Sequence, residues 1–386
     1  MTQMAEMTRQ ILPGSTLGVL GGGQLGRMFA LAARKLGYRV AVFAPDDDTP
    51  TGQIADLEVR ASYDDLDAVE KFARATDVIT FEFENVPAAT VDAANKHAPV
   101  RPSGALLHAM QDRLREKRAL AALGLPVARH ATIETEKDLD PAFANVGAPA
   151  ILKTAAWGYD GKGQRRIATR EELESAWNDL GRARAVLEAV VSFEAEISVV
   201  ATRGLNGSVS LYDPFLNHHA NHILDVTISP APISEATGIQ AAAIARSVLE
   251  GYEVVGVVCV EMFLLPGGGL VVNEIAPRPH NSGHITIDAH TTSQFEQQVR
   301  AICGLPLGAS TRRAPAAAMA NLLGDLWSNG EPNWSAALSD PDLRLHLYGK
   351  DGARPGRKMG HLSIAAADPA IAEERIRRAR QALSRP

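Results

Sequence analysis

The residues best placed to do chemistry are carboxylates in an apolar setting. Val257 to Leu265 reads VVCVEMFLL, a Pro266 to Gly269 turn follows, and Leu270 to Ile275 reads LVVNEI. A hairpin centred on Gly267-Gly268 sets Glu261 opposite Glu274. Two opposed carboxylates among apolar neighbours repel, and a proton or a hard divalent cation relieves that repulsion. Mg2+ shared with nucleotide phosphates suits the pair, with Asn273 as a nearby oxygen. A bulge that shifts the register, leaving each glutamate on its own arginine, is the alternative. Directly afterwards stands Ala276-Pro277-Arg278-Pro279-His280-Asn281-Ser282-Gly283-His284. Its proline-flanked Arg278 is suited to clamp a planar anion such as a carboxylate, bicarbonate or an acyl phosphate.

A second group reads as a nucleotide site. Lys153 closes the strand pattern Ile151 to Thr154, and Gly158-Tyr159-Asp160-Gly161-Lys162-Gly163-Gln164 follows. A strand-borne lysine supplies a point charge for an inner phosphate, and glycine-loop N–H groups can close over the outer ones. Lys162 precedes Gly163 rather than Ser or Thr, so this is no Walker A loop; an ordinary hairpin turn is the bland reading. Glu188-Ala189-Val190-Val191, then Glu194 and Glu196, could meet an adenine edge and ribose hydroxyls, although by pattern alone they are solvent-facing glutamates.

Three further motifs stay open on their residues alone. Gly21 to Gly26 fits G-x-G-x-x-G between a strand and a helix, with Asp46 to Asp48 at ribose-reading distance. It suits a nicotinamide dehydrogenase, a tight packing turn, or another phosphate site at a helix N-terminus. Asn217-His218-His219-Ala220-Asn221-His222 invites a zinc reading but lacks a fitting third-ligand set or a Cys partner, so a polar loop is expected. Lys350, Arg354, Arg357 and Lys358 set four cations against Asp351, as a monophosphate anchor or a solvated basic hairpin.

The elements that must position these groups alternate at first. Strand patterns at 17–20, 39–43 and 77–83, with a helix at 27–36, predict a parallel α/β unit. A helix from Asp112 to Leu123, stopped by Gly124 and Pro126, marks a boundary. From Ala150 to Leu270 strand-like runs joined by glycine-rich turns are expected, and from Ala316 another β-rich segment before a basic final helix. The 386 residues, 46% hydrophobic and 22% charged, suffice for two or three cores. A net charge of −6 with mixed signs argues against a nucleic-acid or anionic-membrane partner. Cys259 and Cys303 lack metal spacing and suit a reducing cytoplasm. No uncharged apolar stretch reaches the roughly 20 residues that span a bilayer, so a cytosolic protein with a frayed leader at Met1 to Gln10 is expected.

Taken together, Gly23 to Met28, Gly158 to Gln164, Asn273-Glu274 with Ala276-Pro277-Arg278, His280 to His284, and Arg354 to His361 resemble the ATP-grasp superfamily. Within it, the chain after its leader is similar to the 5-(carboxyamino)imidazole ribonucleotide synthases of purine biosynthesis, and the last two motifs are specific to them. Trp157 and Phe81-Glu82-Phe83-Glu84-Asn85 depart from the commoner spelling. The resemblance implies an ATP-grasp fold mixing α/β and α+β: an N-terminal parallel α/β (pre-ATP-grasp) domain at 1–111, a central subdomain with a glycine-rich lid at 112–192, and a C-terminal β-rich part with the metal site and basic tail at 193–386.

It further implies that ATP is held by Arg113, Lys153, Gly158 to Gln164, Glu188, Ala189, Val190, Val191, Glu196, His219, Asn273 and Glu274. Mg2+ would sit on Glu261 and Glu274. The ribonucleotide and bicarbonate would meet Gln24, Leu25, Glu82, Tyr159, Asp160, Arg278, His280, Asn281, Lys350 and Arg357, with Arg278, Asp160 and Lys350 in catalytic roles. The implied reaction joins ATP, bicarbonate and 5-aminoimidazole ribonucleotide in a homodimer, with a hand-off of the product to a separate mutase. Rival readings are a formate-dependent glycinamide ribonucleotide transformylase or another ATP-grasp ligase, the dehydrogenase, and a catalytically silent nucleotide-binding scaffold.

Overall fold

Runs of β-branched and aromatic residues in the N-terminal part pair in parallel, in the spatial order Leu57–Arg60, Arg39–Ala44, Thr16–Leu20, Val78–Phe81. The computed structural model describes residues 10–156 and 163–384. Both faces of this sheet are covered, which is why its central strands are apolar without alternation. Leu17 and Val19 pack with Met28 and Phe29 on one face, while Leu20 and Phe43 meet Phe72 and Val91 on the other. The strand expected over 77–83 stops at Phe81. Beyond it Glu82 N still donates to the Leu20 carbonyl at 3.1 Å, and its carboxylate turns back onto the glycine turn, accepting from Gly23 N at 2.6 Å and Gly26 N at 3.2 Å.

Two antiparallel sheets follow. The smaller has the order His130–Ile133, Ala185–Ala189, Ala150–Thr154, Gln164–Ile167, backed by helices Leu139–Val146 and Arg170–Asp179. The larger has nine strands. Its path runs Leu270–Ala276, Gly256–Leu264, Ala195–Arg203, Phe215–Ala220, Ile223–Ser229, Ala316–Leu323, Lys358–Ala366, Arg344–Leu347, and Val209–Leu211 joins the edge of Ala195–Arg203. The tail is thus a continuation of the sheet that carries the opposed carboxylates, not a separate layer.

The stretch read as strands from Ala150 to Leu270 also holds a 17-residue helix, Glu235–Gly251. Ser234 caps it, and its buried residues Thr237, Ala241, Ile244, Ala245, Val248 and Leu249 keep the 3–4 spacing of one helical face. Its small alanines blur that period in the sequence. The helix expected at 112–123 runs Arg113–Ala122, because the Asp112 carboxylate accepts from Leu114 N and Arg115 N, both at 3.0 Å.

Gly26 is held to hydrogen in place of a side chain, since a Cβ there would lie 2.4 Å from Thr51 Oγ1 and 3.2 Å from the Gly21 carbonyl. Gly26→Ala is therefore expected to lose about 1–3 kcal/mol of stability, with part of it recovered in a Thr51→Ala background. Urea midpoints of the four proteins measure this, and an undiminished midpoint for Gly26→Ala would show that the turn can move aside.

Candidate active site

The hairpin brings Glu261 and Glu274 into register, by a route the sequence does not show. Leu264 pairs with Leu270, Phe263 with Val271 and Met262 with Val272, so the turn is centred on Gly267 alone. A bulge then inserts Asn273 and sets Glu261 opposite Glu274. Helix Arg113–Ala122 holds that bulge from behind. Ile275 N donates to Glu116 Oε1 at 2.6 Å, Lys117 Nζ donates to the Asn273 carbonyl at 3.3 Å, and Arg113 Nη1 lies 3.7 Å from Glu274 Oε2.

The two carboxylates differ in character. Burial would raise Glu261, but protonated His280, with Nε2 at 2.8 Å, and His219 bring it down to about 2. Glu274 is raised by burial in the cleft and by the Glu261 charge. Its side chain keeps 46% exposure, so repulsion is the larger influence. His280 is pushed up to about 10, against burial, by the Cys259 sulfur and the Glu261 carboxylate. A buried line of hydrogen bonds fixes its ring: Thr227 Oγ1 donates to Asn217, Asn217 Nδ2 donates to Ser198, the hydroxyls of Ser198 and Ser282 are bonded, and Ser282 Oγ accepts from His280 Nδ1, each 2.9–3.0 Å. The other histidine of that motif, His284, is fully buried beside His361 and held neutral by burial. Asn281 is buried, and among the described residues neither atom of its amide has a partner.

Across the cleft, Lys153 Nζ donates to Glu188 Oε2 at 2.7 Å, and Lys117 Nζ sits 3.3 Å from Glu188 Oε1. Against the penalty of burial, the two lysines bring Glu188 down to about 2. Sequence reasoning missed Lys117 and Glu116. They lie in the strongly polar run RLREKR, and nothing in its pattern distinguishes buried charges from solvated ones. Burial raises Glu116 to about 7. In the linker after Glu188, Ala189 N donates to the Arg129 carbonyl and Val190 N to that of Pro149. Glu196 lies 3.3 Å from His219 Nδ1. His218 instead faces Glu373 at 3.6 Å, so the two histidines have separate partners. No cluster of three or more metal-ligating side chains exists among the described residues. Gln164 opens the strand and pairs with Lys153, and the Gly163 carbonyl before it accepts from Thr154 N, while Gly158, Tyr159, Asp160, Gly161 and Lys162 lie outside the described residues.

A cavity of about 520 Å3 opens between the glycine turn and the C-terminal loop, lined by Gly21 to Gly23, Glu82, Lys350 and Arg357 among others. Gln53 ties the two together, accepting from Arg27 and donating to the Gly349 carbonyl at 2.8 Å. The basic tail is a correction in part. Leu347 pairs with Gly360, so the loop is wider than the expected hairpin turn, and of the four cations only Lys350 and Arg357 line the cavity. Arg357 also binds the loop's own carbonyls at Asp351 and Gly352. Desolvation and the Arg357 charge bring Lys350 down to about 8. Leu25 packs its side chain in the core, and Gln24 begins the same helix.

A parallel sheet followed by two antiparallel sheets that face a lysine–glutamate pair toward an opposed-carboxylate hairpin defines an ATP-grasp ligase. Residues 15–111 match the ribonucleotide synthetase preATP-grasp domain, 118–295 the ATP-grasp domain, and 317–375 the phosphoribosylaminoimidazole carboxylase C-terminal domain. The N5-carboxyaminoimidazole ribonucleotide synthase of Bacillus subtilis is 42% identical over 363 residues, 93% of either chain. A solved N5-carboxyaminoimidazole ribonucleotide synthetase with ADP superposes at TM-score 0.91 and 41% identity, over 97% of this chain and 98% of that one. The Aspergillus clavatus synthase solved with ADP and 5-aminoimidazole ribonucleotide gives 0.85 and 29%, over 97% and 99%. The chain belongs to the N5-carboxyaminoimidazole ribonucleotide synthase family.

Lys117 is 2% exposed, and its removal strands half of the Glu188 charge. Lys117→Met is expected to cost about 3–5 kcal/mol in urea unfolding, as for other broken buried pairs. A loss under about 1 kcal/mol would show that Lys153 alone suffices for Glu188.

Proposed function

We propose that the chain uses ATP to carboxylate the amine of 5-aminoimidazole ribonucleotide with bicarbonate, releasing N5-carboxyaminoimidazole ribonucleotide, ADP and phosphate. The observation that carries this reading is the place of Arg278. Its charge acts on Glu82 in the cavity wall, and its guanidinium is paired with Glu84, whose charge in turn acts on Glu274 of the hairpin. One arginine thus links the two centres that a reaction joining an anion to an amine must bring together. The family's activity favours bicarbonate over the formate of the sister transformylase.

In this reading Lys153, Arg113, Glu188, the Val191 amide, Glu196 and His219 hold ATP. The donor set of Glu261, Glu274 and Asn273 is oxygen only, and two carboxylates suit a Mg2+ that completes its shell with phosphate and water. When bound, Mg2+ supplies neutralisation of charge on the transferring phosphoryl group. Arg278 orients bicarbonate for attack on the terminal phosphorus, forming carboxyphosphate and ADP. Lys350 and Arg357 anchor the ribonucleotide phosphate, so its amine is positioned against a short-lived carboxyl donor shielded from water. Asp160 and Tyr159 of the lid serve the same substrate. We also infer a cytoplasmic homodimer that passes its product to a separate mutase. The oligomer and the hand-off rest on the family resemblance alone; for the location, no described helix is long and apolar enough to cross a membrane.

ADP release is expected to require bicarbonate and to rise strongly with 5-aminoimidazole ribonucleotide; stimulation by formate with glycinamide ribonucleotide would instead indicate the sister ligase. Lys350 carries its charge below about pH 8, so a phosphate anchor there is present below that pH and fades above it. The KM for the ribonucleotide should rise as pH passes 8, with the inflection gone in Lys350→Arg and the KM raised about tenfold or more in Lys350→Ala. The KM for ATP should barely move, and an equal effect on both substrates would place the lysine elsewhere.

A further inference from the structure

The pairing of Arg278 leaves one N–H of its guanidinium without an acceptor among the described residues. Nη1 donates to the Pro279 carbonyl at 2.9 Å and Nη2 is paired with Glu84 Oε1, while Nε is buried and, among the described residues, has no acceptor. Nε and the second N–H of Nη2 form one edge of the guanidinium, the geometry that takes a planar oxyanion bidentately. An anion docked on that edge lies beside the Glu84 carboxylate. Glu84 cannot simply swing away with its chain, because Gln111 Nε2 donates to the carbonyls of Glu84 at 2.7 Å and Val86 at 2.6 Å, pinning the loop on both sides of Asn85.

A bare carboxylate on Arg278 would face Glu84 as like against like. Bicarbonate differs from formate and acetate in one respect: it carries its charge together with a hydroxyl. That hydroxyl can donate to Glu84 while the other two oxygens accept from Arg278, turning a repulsion into a charge-assisted hydrogen bond. We propose that Glu84 is the residue by which the site selects bicarbonate over simple carboxylates, reading the hydroxyl that Arg278 cannot see. A site with a polar group poised for a substrate hydroxyl rejects the analogue without it far better than shape alone does.

The inference rests on the bicarbonate reading, and the test separates the two. With wild-type enzyme, the KM for bicarbonate and the inhibition constant for formate are measured from ADP release; no bicarbonate dependence at all would remove the reading itself. Glu84→Gln keeps size and presents an N–H to the anion. It is expected to raise the bicarbonate KM about tenfold or more, tighten formate inhibition, and so lower the ratio of formate constant to bicarbonate KM at least tenfold. Glu84→Asp should restore part of that ratio. If bicarbonate and formate weaken in parallel, Glu84 merely holds Arg278; if the ratio keeps its wild-type value, it does not read the anion. Either result overturns the proposal, and matching thermal melting of the variants shows that the fold is kept.

Discussion

The rest of the site depends on keeping two carboxylates face to face in an apolar ladder. Like charges opposed across a hairpin are unfavourable, and the chain surrounds the pair with compensation on every side. His280 sits on Glu261, Arg113 near Glu274, and Lys117 grips the carbonyl of the bulged Asn273. The bulge is decisive in this arrangement. A regular ladder from a turn centred on Gly267 would pair Glu261 with Asn273, and Glu116 holds the shifted strand by accepting from the Ile275 amide. Helix Arg113–Ala122 therefore serves as the template for the hairpin, even though it precedes it by some 150 residues in the chain.

Three acids of the cleft are each shared between several positive or hydrogen-bond-donating groups. Glu188 lies between Lys153 and Lys117, Glu261 between His280 and His219, and Glu82 accepts two backbone amides while Arg278 and Lys350 act on it from a distance. Such sharing sets more positive than negative charge around Glu188 and Glu261, and that surplus is open to a further anion. A cleft built this way can accept phosphates without first stranding a buried acid, which is the costly event for isolated buried ion pairs.

Much of this was legible in the sequence, and the failures have physical causes. The parallel unit was readable because a two-faced core demands uninterrupted apolar strands. The opposition of Glu261 and Glu274 was anticipated from symmetry about Gly267-Gly268, yet the turn is centred one half-position away and the bulge makes up the difference. The right pairing thus arose from two offsetting departures. Helix Glu235–Gly251 was obscured by small residues that bury without a strong periodic signal. Lys117 and Glu116 could not be found at all, because a lysine–glutamate pair on a polar helix carries no mark of burial until its partners, from the strands Ala185–Ala189 and Leu270–Ala276, are in place. The basic tail was visible as charge, but which of its cations reach the cavity is decided by a loop of irregular backbone.

The glycine turn shows how the same local geometry can be put to different use. A helix N-terminus behind a tight turn attracts an anion, and in a dinucleotide-binding sheet that anion is the ligand's pyrophosphate. Here the anion is built in. Glu82 places its carboxylate on the amides of Gly23 and Gly26, and a Cβ on Gly23 would meet Glu82 Oε1 at 2.5 Å. The glycines are needed for a close approach, but by a side chain of the same sheet. With the helix dipole already answered, the turn has no strong call on a phosphate, and the positive charge of the cavity lining comes instead from Lys350 and Arg357. The cavity thus lies between the N-terminal sheet and the tail of the nine-stranded sheet, and those two parts of the chain are docked through Gln53 and Gly349.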